Sequence, residues 1–221
     1  MPEPLALGVL LSGSGSNLQA LIDAIAAGRL DARIAVVISN VPDALGLERA
    51  RAQGLAAMVV TRREAPSREA YDARVVEVLR THGVALVVLA GFMRLVTPVL
   101  LNAYPSRVVN VHPALLPAFP GLHAERQALT HGVRLTGVTV HFVDEETDHG
   151  PILAQAAVPI MPNDTEATLH ARIQRQEHRL YPLAIQLIAE GRVRVEGRHV
   201  VITGWTPSAD GSLASPEPPS A

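Results

Sequence analysis

Ala6-Leu-Gly-Val-Leu-Leu11, followed at once by Ser12-Gly-Ser-Gly-Ser-Asn17, is the stretch that decides how this chain folds. An unbroken short apolar run reads as a strand buried on both faces, as in a parallel sheet. The glycine–serine loop then leads into a helix carrying Leu18, Leu21, Ile22 and Ile25 on one face and stopping at Gly28. The same rhythm repeats downstream. Ile34 to Ser39 reads as the next strand, and Asp43 is placed to cap a short helix that ends before Gly54. Ala57 to Val60 is a weaker strand. Ser67 caps a helix showing Tyr71, Val75, Val78, Leu79 and His82 on one stripe, with Gly83 beyond it. Leu86 to Leu89 and Val108 to Val111 complete the set. This alternation predicts an α/β fold: a Rossmann-like, mostly parallel sheet with helices on both faces.

The second half changes character. Gly137 to Val143 and Ile152 to Val158 sit close together, which predicts an antiparallel extension of the sheet in the C-terminal half. Asp164 to about Ala189 reads as a long helix that Pro182 should kink or interrupt, since proline lacks an N–H and crowds the carbonyl of His178. From Pro207 the chain is mostly Pro, Ser, Gly and Ala with little to bury. The expectation is one domain over residues 1–206 and a flexible tail over 207–221.

Composition excludes several chemistries. Of the 221 residues 48% are hydrophobic and only 3% aromatic, so the core must be aliphatic; the net charge of −2 gives no electrostatic case for nucleic acid or an anionic membrane. The chain contains no lysine, which rules out a Schiff base and the lysine-bearing phosphate loop. The absence of cysteine removes disulfides, thiolate catalysis and thiolate metal ligands. No basic stretch precedes an apolar run at the N-terminus, and no apolar run is long enough for a bilayer, so a cytoplasmic protein is expected.

Three places carry chemistry. The Gly13-x-Gly15 loop lies between a strand and a helix, where helix N-terminal amides favour an anion and the hydroxyls of Ser12, Ser14 and Ser16 add donors. A dinucleotide is a poor fit, because the third glycine position is Leu18 and the second strand ends in Ser39-Asn40 rather than an acid. One phosphate monoester fits better. Asn110 and His112 stand two apart on one strand, so both side chains point to the same face, and Pro113 opens the loop beyond. Asp148, in Asp148-His149-Gly150-Pro151, supplies a carboxylate. An amide, an imidazole and a carboxylate together suit acyl-type transfer: two groups hold a developing oxyanion, and the third keeps the imidazole charged and relays a proton.

Other positions carry weaker signals. His141 alternates with apolar neighbours and reads as supporting rather than catalytic. The remaining histidines lack metal spacing, so no catalytic metal is expected. Arg68 falls in a helix's first turn, where the dipole disfavours a cation. Leu89-Ala-Gly-Phe-Met-Arg-Leu-Val96 either lines a pocket for a flat heterocycle or packs as core.

Ser12-Gly-Ser-Gly-Ser-Asn-Leu18, Leu89-Ala-Gly-Phe-Met-Arg94, Asn110-Val-His-Pro-Ala-Leu-Leu-Pro117, Pro120-Gly-Leu-His123, Val138-Thr-Val-His141 and Asp148-His-Gly-Pro151 occur in order. Together they resemble the phosphoribosylglycinamide formyltransferase family, from about Leu7 to Ile188. The resemblance implies formyl transfer from 10-formyltetrahydrofolate to the amine of glycinamide ribonucleotide, in de novo purine biosynthesis. It implies a phosphate-binding N-terminal half and a folate-binding C-terminal half. It implies that Gly15, Ser16 and Asn17 hold the ribose phosphate, and that Gln174 and Glu177 contact the same substrate. Arg68 would meet the benzoylglutamate of the folate. Met93, Arg94, Leu95 and Val96, with Asn110 and the loop from Asp144 to Asp148, would frame the pterin. Asn110, His112 and Asp148 would be catalytic.

Some positions depart from the family's pattern. Ala114 replaces a common serine, Ala118 a common basic residue and Ser14 a frequent asparagine, while His149 adds a titrating group beside Asp148. A transformylase for initiator methionyl-tRNA resembles the same core but carries a further C-terminal domain, for which too little chain follows Gly191. A sugar-amine formyltransferase, a formyltetrahydrofolate hydrolase and a non-catalytic folate- or nucleotide-binding module are the other readings. Small-molecule partners are expected, with monomer and homodimer both open.

Overall fold

The structure is a computed structural model that describes residues 3–61, 63, 65–205 and 214–215. The chain groups into two compact units, Met1–Asn110 and Val111–Ala221. The sheet is mostly parallel with flanking helices, and its antiparallel strands fall toward the C-terminus, as expected from the alternation of elements.

In the first unit β1 (Leu5–Leu11) runs parallel to β2 (Ala32–Ser39) on one side and to β4 (Leu86–Leu89) on the other. β3 (Ala57–Val59) adds beyond β2, and β5 (Val108–His112) beyond β4. Leu7, Val9, Leu10 and Leu11 are fully buried, which explains the lack of polar alternation along β1. The crossovers are α1 (Ser16–Ala26), α2 (Leu45–Ala52), α3 (Arg68–Thr81) and the short α4 (Pro98–Ala103). Ser67 caps α3 as expected, its side chain accepting from the Ala70 N–H at 3.1 Å. Asp43 does not cap α2. A turn in which the Ala44 N–H donates to the Val41 carbonyl comes first, and Ala44 holds the cap position.

In the second unit β6 (Leu135–Phe142) and β7 (Ile152–Pro159) form the expected antiparallel pair. Helix α6 (Glu166–Ala189) packs on both, and α5 (Ala124–His131) packs on α6. Pro182 does not interrupt α6. It sits buried in a helix that also buries Leu180, Tyr181, Ala184 and Ile185, and this packing outweighs one missing backbone hydrogen bond. β8 (Val193–Glu196) and β9 (His199–Ile202) form a hairpin that hydrophobic patterning alone did not mark. Of the expected tail, residues 207–213 and 216–221 lie outside the described residues, while β10 (Ala214–Ser215) pairs antiparallel with β7. Among the described residues no helix is long and apolar enough to cross a membrane.

Candidate active site

The loop after β1 sits at that strand's carboxyl end, the usual ligand-binding edge of a parallel sheet. Gly15 occupies the N-cap of α1 with φ of 69°, and the Cα of Gly46 lies 2.5 Å from where a Cβ at Gly15 would stand. No side chain fits there. The first turn of α1 holds no acid, so no like charge opposes an anion at that helix N-terminus. Ser12 plays a different part from the one its hydroxyl suggested. Its Oγ donates to Asn40 Oδ1 at 2.6 Å and accepts from the Met93 N–H at 2.8 Å, tying the phosphate-type loop to the segment after β4. Arg49, which no motif singled out, braces the loop from α2 by donating to the Ser14 carbonyl at 2.8 Å.

The segment after β4 forms a cavity rather than core. About 310 Å³ of space is lined by Pro66, Ser67, Arg68, Arg94 and Leu95, which brings three of the expected folate residues together. Met93 and Leu95 are exposed and apolar, at 63% and 56%. Arg94 lies 3.9 Å above the Tyr71 ring, a cation–π contact, and Arg68 donates to the Leu95 carbonyl at 3.3 Å. Asp72, on the buried side of α3, accepts from the Thr97 N–H at 2.6 Å and the Thr97 hydroxyl at 2.8 Å. It anchors the end of the segment holding Met93 to Val96. Burial pushes the Asp72 carboxyl up against the opposing pull of those two bonds.

Asn110 and His112 stand on one face of β5, as their spacing predicts. His112 is 5% exposed. Its Nδ1 lies 3.3 Å from Asp148 Oδ2 and its Nε2 lies 2.8 Å from the Phe119 carbonyl oxygen. The ring faces an acceptor on each side, and a doubly protonated imidazole donates to both. Asp148 is positioned by backbone as much as by side chain. It adopts φ of 52°, unusual for a residue with a Cβ, and its Oδ2 accepts the Gly121 N–H at 2.7 Å. Gly150 makes the turn possible, because a Cβ there would lie 1.9 Å from the Phe142 carbonyl oxygen.

His141 supports this pair. Its Nδ1 lies 2.8 Å from the Phe142 carbonyl oxygen and its Nε2 lies 3.8 Å from Asp148 Oδ1. Burial pushes the His141 imidazole down, so it stays neutral, with Nδ1–H donating to the carbonyl. Asp144 organises its own loop through His149 Nδ1 at 2.8 Å and the Glu146 N–H at 3.1 Å. The loop after β5 is held by residues that sequence reasoning missed. Thr139 on β6 donates to the Ala114 carbonyl at 2.7 Å and accepts from the Leu116 N–H at 3.0 Å; Gln155 on β7 donates to the Leu116 carbonyl at 2.9 Å. Polar residues inside otherwise apolar strands were the available signal. Gln174 and Glu177 share a face of α6, and Glu177 is buried. Among the described residues no group of three or more His, Asp or Glu is set to hold a metal ion.

The sequence profile of the formyl transferase family matches residues 6–185. The phosphoribosylglycinamide formyltransferase of Escherichia coli (strain K12) is 46% identical over 187 residues, covering 85% of this chain and 88% of that protein. The trifunctional purine biosynthetic protein adenosine-3 of Drosophila pseudoobscura pseudoobscura is 49% identical over 190 residues, 85% of this chain but 14% of that longer protein. The crystal structure of glycinamide ribonucleotide transformylase 1 from Symbiobacterium toebii superposes with a TM-score of 0.90 at 54% identity, covering 91% of this chain and 95% of that one. A histidine–aspartate pair whose histidine ends an Asn-x-His strand, a glycine loop at the carboxyl edge of a parallel sheet and likeness along most of the sequence agree: this chain belongs to the phosphoribosylglycinamide formyltransferase family.

Proposed function

We propose that the protein transfers the formyl group of 10-formyltetrahydrofolate to the amine of glycinamide ribonucleotide, releasing formylglycinamide ribonucleotide and tetrahydrofolate, a step of purine biosynthesis. The carrying observation is the His112–Asp148 contact of 3.3 Å, with Asn110 two residues earlier on the strand that holds His112. Residues 1–206 act as one catalytic domain. Gly15, Ser16 and Asn17 take the ribose phosphate on backbone amides and a hydroxyl, which with arginine are the means left to a chain without lysine. Gln174 and Glu177 contact the same ribonucleotide. The cavity chemistry fits a folate: the guanidinium of Arg68 suits a carboxylate tail, and Met93, Arg94, Leu95 and Val96 offer an apolar and peptide edge to a flat ring. Asp144 frames the ring through the loop it organises.

The amine nitrogen attacks the formyl carbon, the new C–N bond forms, and charge builds on the formyl oxygen. Asn110 donates an N–H to that oxygen, and the positive charge of His112 stabilises it through space. Asp148 holds the His112 ring in place and draws the proton from the attacking amine, directly or through one water. The C–N10 bond then breaks and the proton passes to N10, so the formyl group changes carriers with no net oxidation. Spectroscopic detection of tetrahydrofolate release, with and without glycinamide ribonucleotide, tests this directly. Release that depends on the ribonucleotide is expected. Release of equal rate without it would make the protein a hydrolase, and ligand binding without release would make it a non-catalytic module.

A further inference from the structure

Glu125 and His170 belong to no motif of the sequence, yet they form a close contact beside the substrate-facing part of α6. Glu125 stands in the first turn of α5, where the helix dipole favours a carboxylate, and its side chain is 9% exposed. Its Oε1 lies 2.7 Å from His170 Nδ1. The other ring nitrogen, Nε2, lies 3.5 Å from Gln174 Nε2, one helical turn further along α6.

The two ends of a glutamine amide have the same shape, and only hydrogen bonding decides which way it turns. An imidazolium carries hydrogen on both nitrogens. With Nδ1–H given to Glu125, Nε2–H favours an acceptor on a ring whose side chain is 51% exposed, so the amide turned round presents Oε1 to the ring and its NH2 to the ribonucleotide. A neutral ring bonded to Glu125 through Nδ1–H exposes a lone pair at Nε2 instead, and the amide turns back. We infer that the Glu125–His170 pair sets which end of the Gln174 amide meets the substrate, making His170 a positioning residue for ribonucleotide binding.

The charges around the ring agree. Glu125 faces His170 from α5, and Glu166 and Glu177 face it from α6. The hydrogen bond to Glu125 is the largest of the influences holding the imidazole's pKa above its ordinary value, against the pull of partial burial. Burial acts on Glu125 in the opposite sense, but the bond to His170, a backbone bond and the fields of His170 and His112 together hold its carboxyl below the usual range. His170 therefore keeps its proton to higher pH than a free histidine and loses it as pH rises through its folded-state pKa. Ribonucleotide binding should weaken over that window by roughly 3–10-fold, the worth of one hydrogen bond.

The inference rests on the role proposed above for Gln174, so its test has an arm that needs no turnover. In the ligand-free protein, the side-chain NH2 resonances of Gln174 should shift with pH in step with the ring of His170. Glu125→Gln should move both midpoints to lower pH, and His170→Ala should abolish the Gln174 titration. Kinetically, His170→Ala should raise KM for glycinamide ribonucleotide while kcat and the folate KM change less than twofold. Gln174 resonances that stay flat while His170 titrates would overturn the inference, as would an unchanged ribonucleotide KM in His170→Ala. An unsubstituted protein that fails to formylate the ribonucleotide would instead overturn the proposed function, leaving the resonance titration to judge the pair.

Discussion

The His112 ring is held from both sides. The Phe119 carbonyl and the Asp148 carboxylate flank it, and Asp148 is in turn placed by the turn that Gly150 admits and by the Gly121 N–H on its carboxylate. Asn110→Ala and His112→Ala should each lower kcat by about 10²–10³-fold, the cost of losing one oxyanion-stabilising group, with substrate Kd largely retained. Asp148→Asn should be equally impaired, since an amide neither supports the imidazolium nor accepts the amine's proton. Steady-state rates and calorimetric binding check all three; near-normal turnover in the Asn110 and His112 variants would remove both from the reaction. That Asn110 and His112 share one face of a strand was legible in the sequence, because a spacing of two fixes it. The bracing roles of Ser12, Thr139 and Gln155 were not. A hydroxyl or amide in a strand or loop says nothing of its partner until tertiary structure brings one within reach.

Among the elements, α6 carries the most consequence, because it presents His170, Gln174 and Glu177 along one run. Its start is built by more than the expected long apolar pattern. Thr165 and Thr168 form a reciprocal cap, and Asp164 pairs with Arg172 at 2.6 Å while accepting the Met161 N–H at 2.7 Å. The Arg172 guanidinium first, and the Met161 amide second, hold the Asp164 carboxyl far below the usual carboxylate range. A depressed folded-state pKa gives stability that is present above the unfolded value of about 3.9 and is lost as pH falls through the folded one. Asp164→Asn should therefore lower Tm at neutral pH, and the gap from the parent should close as pH is taken well below about 3. Thermal melts across that range measure it; a gap independent of pH would mean the charge on Asp164 contributes nothing. The length of α6 was legible from its periodicity, but its passage through Pro182 was not, because local propensity disfavours proline there and only burial by neighbours compensates.

Each of the two compact units has an aliphatic interior of its own, with Leu7, Leu10, Val37 and Leu86 fully buried in the first and Val140, Ile173, Leu180 and Ile185 in the second. Leu10→Ala and Ile185→Ala should each cost about 2–5 kcal/mol in denaturant unfolding, the usual range for emptying a packed site. A loss below about 1 kcal/mol would show that the site relaxes around the deletion rather than leaving a cavity. What the amino-acid order determined alone was the alternation of strands and helices, the glycine loop and the Asn-x-His strand. Each of these is written in residues adjacent in the chain, where periodicity and steric preference act directly. Only the tertiary structure decided that Asp148 meets His112, that Arg68 and Arg94 share a cavity, and that Glu125 holds His170. Those contacts join residues 26 or more positions apart, and their energies depend on burial and direction that no local pattern encodes.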